Sequence, residues 1–208
     1  AVYKIAPETK EYIVPTIKED EDIFFDPVSK MVSLRSTYLD EKKIADAIKD
    51  RIEQPPFSSL NYKDYLQSIE LNLTDEQKLA VEYTATKNIM MLIGPAGSGK
   101  SASTKAIVQM LKGNLQSFLL LAPTGIAAHR LKEATGEKAS TINLHLATNR
   151  SSDYDYISID EMSMVSVSLL SSLLATVPSS AKLIFICDEA QLASISPGNI
   201  VYDILKAD

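Results

Sequence analysis

MMLIGPAGSGKSAST, residues 90–104, runs from an apolar stretch into three glycines, a lysine and two serines within eight positions. The chain has only 7 glycines in 208 residues, so this clustering needs a local reason. Glycine is costly to order and brings no side chain to pack. Placing it after a strand-like run implies that something approaches the backbone closely. Gly94-Pro95-Ala96-Gly97-Ser98-Gly99-Lys100-Ser101 matches G-x-x-x-x-G-K-[ST] without a gap, between an apolar strand and a helix. In that setting consecutive backbone N–H groups turn inward around phosphate oxygens, where a Cβ would crowd the anion. The dipole of the following helix adds to the attraction. Lys100 is placed to reach the β- and γ-phosphates of ATP, and the Ser101 hydroxyl to ligate Mg²⁺.

A metal-dependent phosphate site needs a further carboxylate. Ile157-Ser158-Ile159-Asp160-Glu161 supplies an apolar strand ending in two acids. Asp160 is expected to hold the Mg²⁺ hydration shell and Glu161 to polarise an attacking water. A later strand ends in Cys187-Asp188-Glu189-Ala190-Gln191. Polar groups at strand C-termini lie where ligands bind in open α/β sheets.

Outward from the loop, strand and helix signals alternate. Thr74-Asp75-Glu76-Gln77 fits a capping box opening a helix. NIMMLI (88–93), SFLLLA (117–122), YISID (156–160) and KLIFIC (182–187) read as strands. Helices are expected from near Gly99, over 126–134 and over 165–174. Strands apolar on both faces, separated by amphipathic helices, predict a parallel sheet covered on both sides. The texture before Asn72 differs. Short β-like runs (EYIVPTI, IFF, MVSLRS) and a turn from Asp26-Pro27 to Lys30 come first. From Leu39 a helix is expected, with Ile44, Ile48 and Ile52 on one face, stopped at Gln54-Pro55-Pro56. In NYKDYLQSIE (61–70), Tyr62, Tyr65, Leu66 and Ile69 share the packing face of a second helix. The expected division is a small α+β region over 1–72 and an α/β domain over 73–208.

Composition bounds the rest. Apolar content is 45% and charged content 23%, ordinary for a globular chain with a real core. The net charge of −6 argues against a large basic face, while leaving room for a local groove that binds single strands. The single cysteine, Cys187, closes an apolar run and reads as a buried thiol in a reducing compartment. No apolar run has the length of a membrane span and residues 1–10 carry no signal-peptide pattern, so a cytoplasmic setting without membrane contact is expected. The sequon at Asn72 is read as a chance match. His129 and His145 lack metal partners at motif spacing and are expected in surface or groove positions.

Six segments occur in one order: LTDEQKLAV (73–81), GPAGSGKS (94–101), APTGIAAHRLKEATG (122–136), ASTINL (139–144), IDEMSMV (159–165) and CDEAQLASISPGN (187–199). This order resembles superfamily 1 DNA helicases, most of all the RecD-like branch; TGIAA is also similar to the related Pif family. The resemblance covers residues 73–208 and implies a P-loop, RecA-like first motor domain acting in DNA repair and recombination. It implies that Gln77 reads adenine and that Gln191 senses the γ-phosphate. It further implies that Pro123, Thr124, Gly125 and Thr141 lie along single-stranded DNA. Cys187 stands where the family usually has Gly, Ala193 where it has Pro, and Asn143-Leu144 where it has His-Arg.

Helicases of this kind have two RecA-like domains, and an arginine from the second completes the ATP site. The resemblance therefore implies that a second motor domain is expected beyond Asp208. Alone, the 208 residues are expected to bind nucleotide but hydrolyse it poorly. Arg35 or Arg51 folding over the site in cis is a competing possibility. A stand-alone nucleotide-binding switch controlling a partner protein is the alternative function, although it has no need of an APTG segment. A small-molecule kinase lacks a visible substrate lid.

Overall fold

The computed structural model describes residues 3–4, 20–28, 31–55, 60–148, 153–188 and 200–206. Near the N-terminus, β1 (Tyr3–Lys4), β2 (Ile23–Asp26) and β3 (Met31–Leu34) form an antiparallel sheet in the order β1-β3-β2. The β2–β3 turn is fastened where Asp26 Oδ1 accepts the Val28 N–H at 3.0 Å. The β-like run at 11–17 lies outside the described residues.

Helix α1 (Arg35–Glu53) follows β3 directly and starts four residues before the position the periodicity marks. Leu34 occupies its N-cap position without a side-chain cap, so the sequence offers no start signal there. The Arg35 guanidinium donates to the carbonyls of Glu21 and Ile23 and holds that start in place. A short helix, α2 (Tyr62–Ser68), is capped by Asn61, and its tyrosines and Leu66 pack as expected.

The remaining described residues build the main layer. In chain order they form α3 (Asp75–Thr86), β4 (Ile89–Gly94), α4 (Lys100–Gly113), β5 (Phe118–Ala122) and α5 (Gly125–Thr135). Then come β6 (Ala139–Thr141), α6 (Ile142–Ala147), β7 (Tyr156–Ile159) and a 3₁₀ turn (Met162–Met164). The last are α7 (Val167–Leu174), β8 (Lys182–Asp188) and α8 (Ile200–Lys206). The five strands β4-β8-β7-β5-β6 pair in that order and all in parallel. The fold is therefore α/β, a P-loop parallel sheet flanked by helices and preceded by a small α+β region.

Period-two alternation sorts the core into two layers. Ile157, Ile159, Leu183 and Phe185 face α1 and α7, whereas Tyr156, Ile184 and Ile186 face α3 and α4. Helix α1 thus covers one face of the sheet. Ile44 is buried and Ile48 half-buried, but Ile52 is 66% exposed, so the expected apolar seam opens at its C-terminal end. One histidine expectation fails: His145 is 4% exposed, because Ile142 and His145 share the inner face of the short helix α6. His129 is exposed beside Glu133.

Candidate active site

A parallel sheet directs its strand C-termini to one edge, and the predicted residues that the structure describes gather toward it. Strand β4 ends at Gly94, paired with Asp188 of β8. Beyond β8 lies β7, whose pairing with β5 continues through the Asp160 N–H to the Leu121 carbonyl at 2.9 Å. The glycine loop and the Asp160-Glu161 pair are thus two strand spacings apart, about 10 Å.

The loop backbone requires its glycines. Gly97 and Gly99 have φ of +79° and +88°, where L side chains are strained. A Cβ on Gly94 would displace the Ser98 hydroxyl, and one on Gly99 the Gln77 amide. The Lys100 ammonium donates to the Gly94 carbonyl and, at 2.8 Å, to that of Pro95.

Gln77 joins this loop to α3. Its Oε1 accepts the Thr74 N–H at 2.9 Å, completing the expected capping box, while its Nε2 donates to the Gly99 carbonyl at 3.3 Å. Both ends of the amide are therefore engaged by the protein.

A cavity of about 360 Å³ opens between the loop, α5 and the strand ends. Ala96, Gly97, Gly99, Lys100, Ser101, Asp160 and Glu161 line it. Gly94, Pro95, Ser98 and Gln77 are not among its lining residues, though they shape the loop. Asp188, at the strand end that the sequence marked, lines it too, as do Thr104 and Arg130, which were absent from the sequence-derived site. Helical phase alone does not reveal that α5 forms a cavity wall, which is why Arg130 escaped notice. Gln191 lies outside the described residues.

Electrostatics concentrate at the strand ends. Burial pushes the Asp160 carboxyl above its ordinary pKa, against the Glu161 N–H it accepts at 2.9 Å and the positive charge of Lys100. Burial also raises Glu161, the Asp160 and Asp188 charges add to the rise, and Arg130 opposes it. Glu161 sits in the left-handed region, with φ 49° and ψ 43°. Such a conformation costs a non-glycine residue about 1–3 kcal/mol and is held by its surroundings. Burial, with the Asp160 charge adding, pushes the Cys187 thiol up to about 12, so this cysteine is an inert core residue as expected.

The glycine cradle, the lysine and a hydroxyl facing two strand-end acids fit a nucleotide polyphosphate with Mg²⁺. Among the described residues no three His, Cys, Asp or Glu side chains could hold a metal between them. Mg²⁺ needs none, since it takes one or two protein ligands alongside phosphate oxygens and waters.

The predicted strand-tracking residues lie farther along the same edge. Pro123, Thr124 and Gly125 follow β5, and Thr141 ends the neighbouring β6, paired with Ala122. Thr124 Oγ1 accepts the Ala127 N–H at 3.2 Å and Thr141 Oγ1 the Leu144 N–H at 3.1 Å, so both hydroxyls cap helices. Neither Arg35 nor Arg51 reaches the cavity. Arg51 is buried at the opposite strand ends, the length of β8 away, roughly 20 Å.

A model of the AAA domain family matches residues 72–208. The chain belongs to this family. It is 32% identical to the ATP-dependent RecD2 DNA helicase of Deinococcus radiodurans, over 76% of this chain and 24% of that protein. It is 26% identical to the RecBCD enzyme subunit RecD of Haemophilus influenzae, over 80% of this chain and 32% of the relative. The chain thus spans about a quarter to a third of these relatives. Among solved structures, Bacteroides Pif1 bound to single-stranded DNA is 21% identical, with a TM-score of 0.45, over 65% of this chain and 36% of that one. This AAA domain is a helicase-like P-loop domain, related to RecD-like superfamily 1 helicases. Among the described residues no helix is long and apolar enough to cross a membrane.

Proposed function

We propose that this chain is the N-terminal region (1–72) and first motor domain (73–208) of an ATP-dependent DNA helicase of the RecD-like type, coupling ATP hydrolysis to movement on single-stranded DNA. The observation that carries the reading is the cavity in which the glycine cradle and Lys100 face Asp160 and Glu161. Bound Mg²⁺-ATP supplies the phosphoryl group whose transfer to water drives the motor. The loop amides and Lys100 bind the phosphates, for which Lys100 must leave the Gly94 and Pro95 carbonyls. Ser101 and Asp160 would hold Mg²⁺, which would offset the phosphate charge. Glu161 orients and deprotonates the water, Gln191 follows the γ-phosphate, and Gln77 reads adenine once its amide releases Gly99.

Pro123, Thr124, Gly125 and Thr141 form one grip on the DNA backbone, and a second motor domain supplies the other grip and an arginine. The boundary near Asn72 marks where the family's motifs begin, while α1 packs onto the motor sheet across it. DNA repair and recombination, in the cytoplasm where DNA and ATP meet, is the process this activity serves.

The test is a titration of Mg²⁺ with a fluorescent ATP analogue against the wild type and Lys100→Ala. Loss of one charge-assisted phosphate contact should weaken binding by about 10-fold or more. Equal affinities would remove the nucleotide assignment. Single-stranded DNA should bind weakly and less tightly as salt rises, because phosphate contacts release counterions.

A further inference from the structure

Among the described residues, the cavity is lined by two cations, Lys100 and Arg130, and three carboxylates, Asp160, Glu161 and Asp188. Resting on the nucleotide reading above, we propose that Arg130 is a second phosphate-binding cation of this site, which takes the terminal phosphate of a nucleoside triphosphate from within the same domain.

Placement supports it first. Ala127, Ala128, Leu131 and Thr135 form the buried face of α5. Arg130 lies on the flank beside that face and shares the cavity wall with Leu131 and Ala134, together with Ser101 and Thr104 of α4. Its side chain is exposed, and among the described residues no ion pair pins it. Its charge is nonetheless felt by Glu161.

Charge balance supports it second. A triphosphate entering beside three carboxylates meets repulsion that one lysine and one divalent ion offset only in part. The planar guanidinium offers two parallel N–H donors to two oxygens of a terminal phosphate, a geometry an ammonium lacks. Arg51 and Arg35 are committed to backbone carbonyls elsewhere. Arg130 is therefore the arginine on this cavity's wall that is positioned to act before any second domain contributes.

The inference separates from a solvated surface role by ligand choice, since ADP lacks the phosphate that Arg130 is assigned. Fluorescent ADP and a fluorescent non-hydrolysable ATP analogue are titrated, with Mg²⁺, against wild type, Arg130→Ala, Arg130→Gln and Lys100→Ala. Both Arg130 variants should bind the triphosphate analogue about 10-fold more weakly, with ADP changed less than about 2-fold, from loss of one charge-assisted contact. Lys100→Ala should weaken both ligands. An unchanged ratio of triphosphate to ADP affinity in either Arg130 variant would overturn the inference while leaving the nucleotide site intact. A wild type that binds neither ligand would remove the nucleotide reading and this inference with it. Thermal melts without ligand should match wild type, because Arg130 is exposed; a large drop in both variants would assign it a structural role instead.

Discussion

The two edges of the parallel sheet use the same residue types to opposite ends. At the strand N-termini, Arg51 and Lys182 are 2% and 3% exposed. Arg51 donates to the carbonyls of Ala181, Ala47 and Pro178 at 3.0, 2.8 and 2.7 Å. Nearby, Asn88 Nδ2 donates to the Arg51 and Gln54 carbonyls, and Asp155 accepts from both the N–H and the hydroxyl of Ser117. At the strand C-termini, Arg130 is exposed, Lys100 rests on loop carbonyls, and three carboxylates crowd one cavity. One edge is satisfied and closed. The other gathers three carboxylates and two cations around one cavity, with Glu161 held in the left-handed region.

The strongest break of this contrast is Arg51→Ala. It strands several buried carbonyls and detaches the end of α1 from the α7–β8 connection. Each buried carbonyl left without its donor costs about 1–3 kcal/mol. Urea unfolding of the full chain should show a loss of that order, with native-state nucleotide affinity unchanged. A loss below about 1 kcal/mol would mean that α1 is held by its apolar seam alone.

Much of this contrast was legible in the sequence on one side only. The glycine spacing, Lys100-Ser101 and the strand-end Asp160-Glu161 carry the proposed phosphate site in the sequence itself, because such chemistry dictates residue type at fixed local offsets. Thr74 and Gln77 likewise declare their cap, and four of the five parallel strands were marked by apolar runs. Arg51, Lys182 and Arg130 carry no such signal. A buried arginine fed by carbonyls from residues 177–181 is defined by contacts more than a hundred positions away. The three-residue strand β6 and the short helix α6 were missed as elements for a related reason. They are too short for periodicity and exist because β5 offers an open edge at Leu120–Ala122.

Between the two edges in expected effect stands Gln77, which ties the framework helix α3 to the glycine loop. Gln77→Ala removes the acceptor for the Thr74 N–H and the donor to Gly99, and should cost about 1 kcal/mol in urea unfolding. Gln77→Glu keeps the acceptor, which a capping box accommodates, but sets a carboxylate against the Gly99 carbonyl. It should recover most of the stability while weakening nucleotide binding. A Glu variant as unstable as the Ala variant would show that the loop contact, and not the cap, is the stabilising half.

The smallest effect is expected at Lys182, and pH exposes it. Its ammonium donates to the Ala85 carbonyl at 3.4 Å and lies 5.3 Å from the centre of the Tyr156 ring. Burial lowers its pKa below the ordinary lysine value. A buried charge of this kind can often be replaced by an apolar side chain at little cost, so Lys182→Met should lie within about 1 kcal/mol of wild type at pH 7. A lowered pKa means that the native chain holds this proton less tightly than the unfolded chain. Below the native pKa both states are charged and the native state bears the whole desolvation penalty. As pH climbs from the native pKa toward the unfolded value of about 10.4, the native lysine has already lost its proton and the penalty fades. Wild type should therefore gain stability relative to Lys182→Met between neutral pH and about pH 10, read as the difference between paired thermal melts. Other titrating groups cancel in that difference because both proteins carry them. A gap that stays flat across the interval would mean that the Ala85 carbonyl and the Tyr156 ring compensate the ammonium fully, making this edge as well balanced for charge as it is for hydrogen bonds.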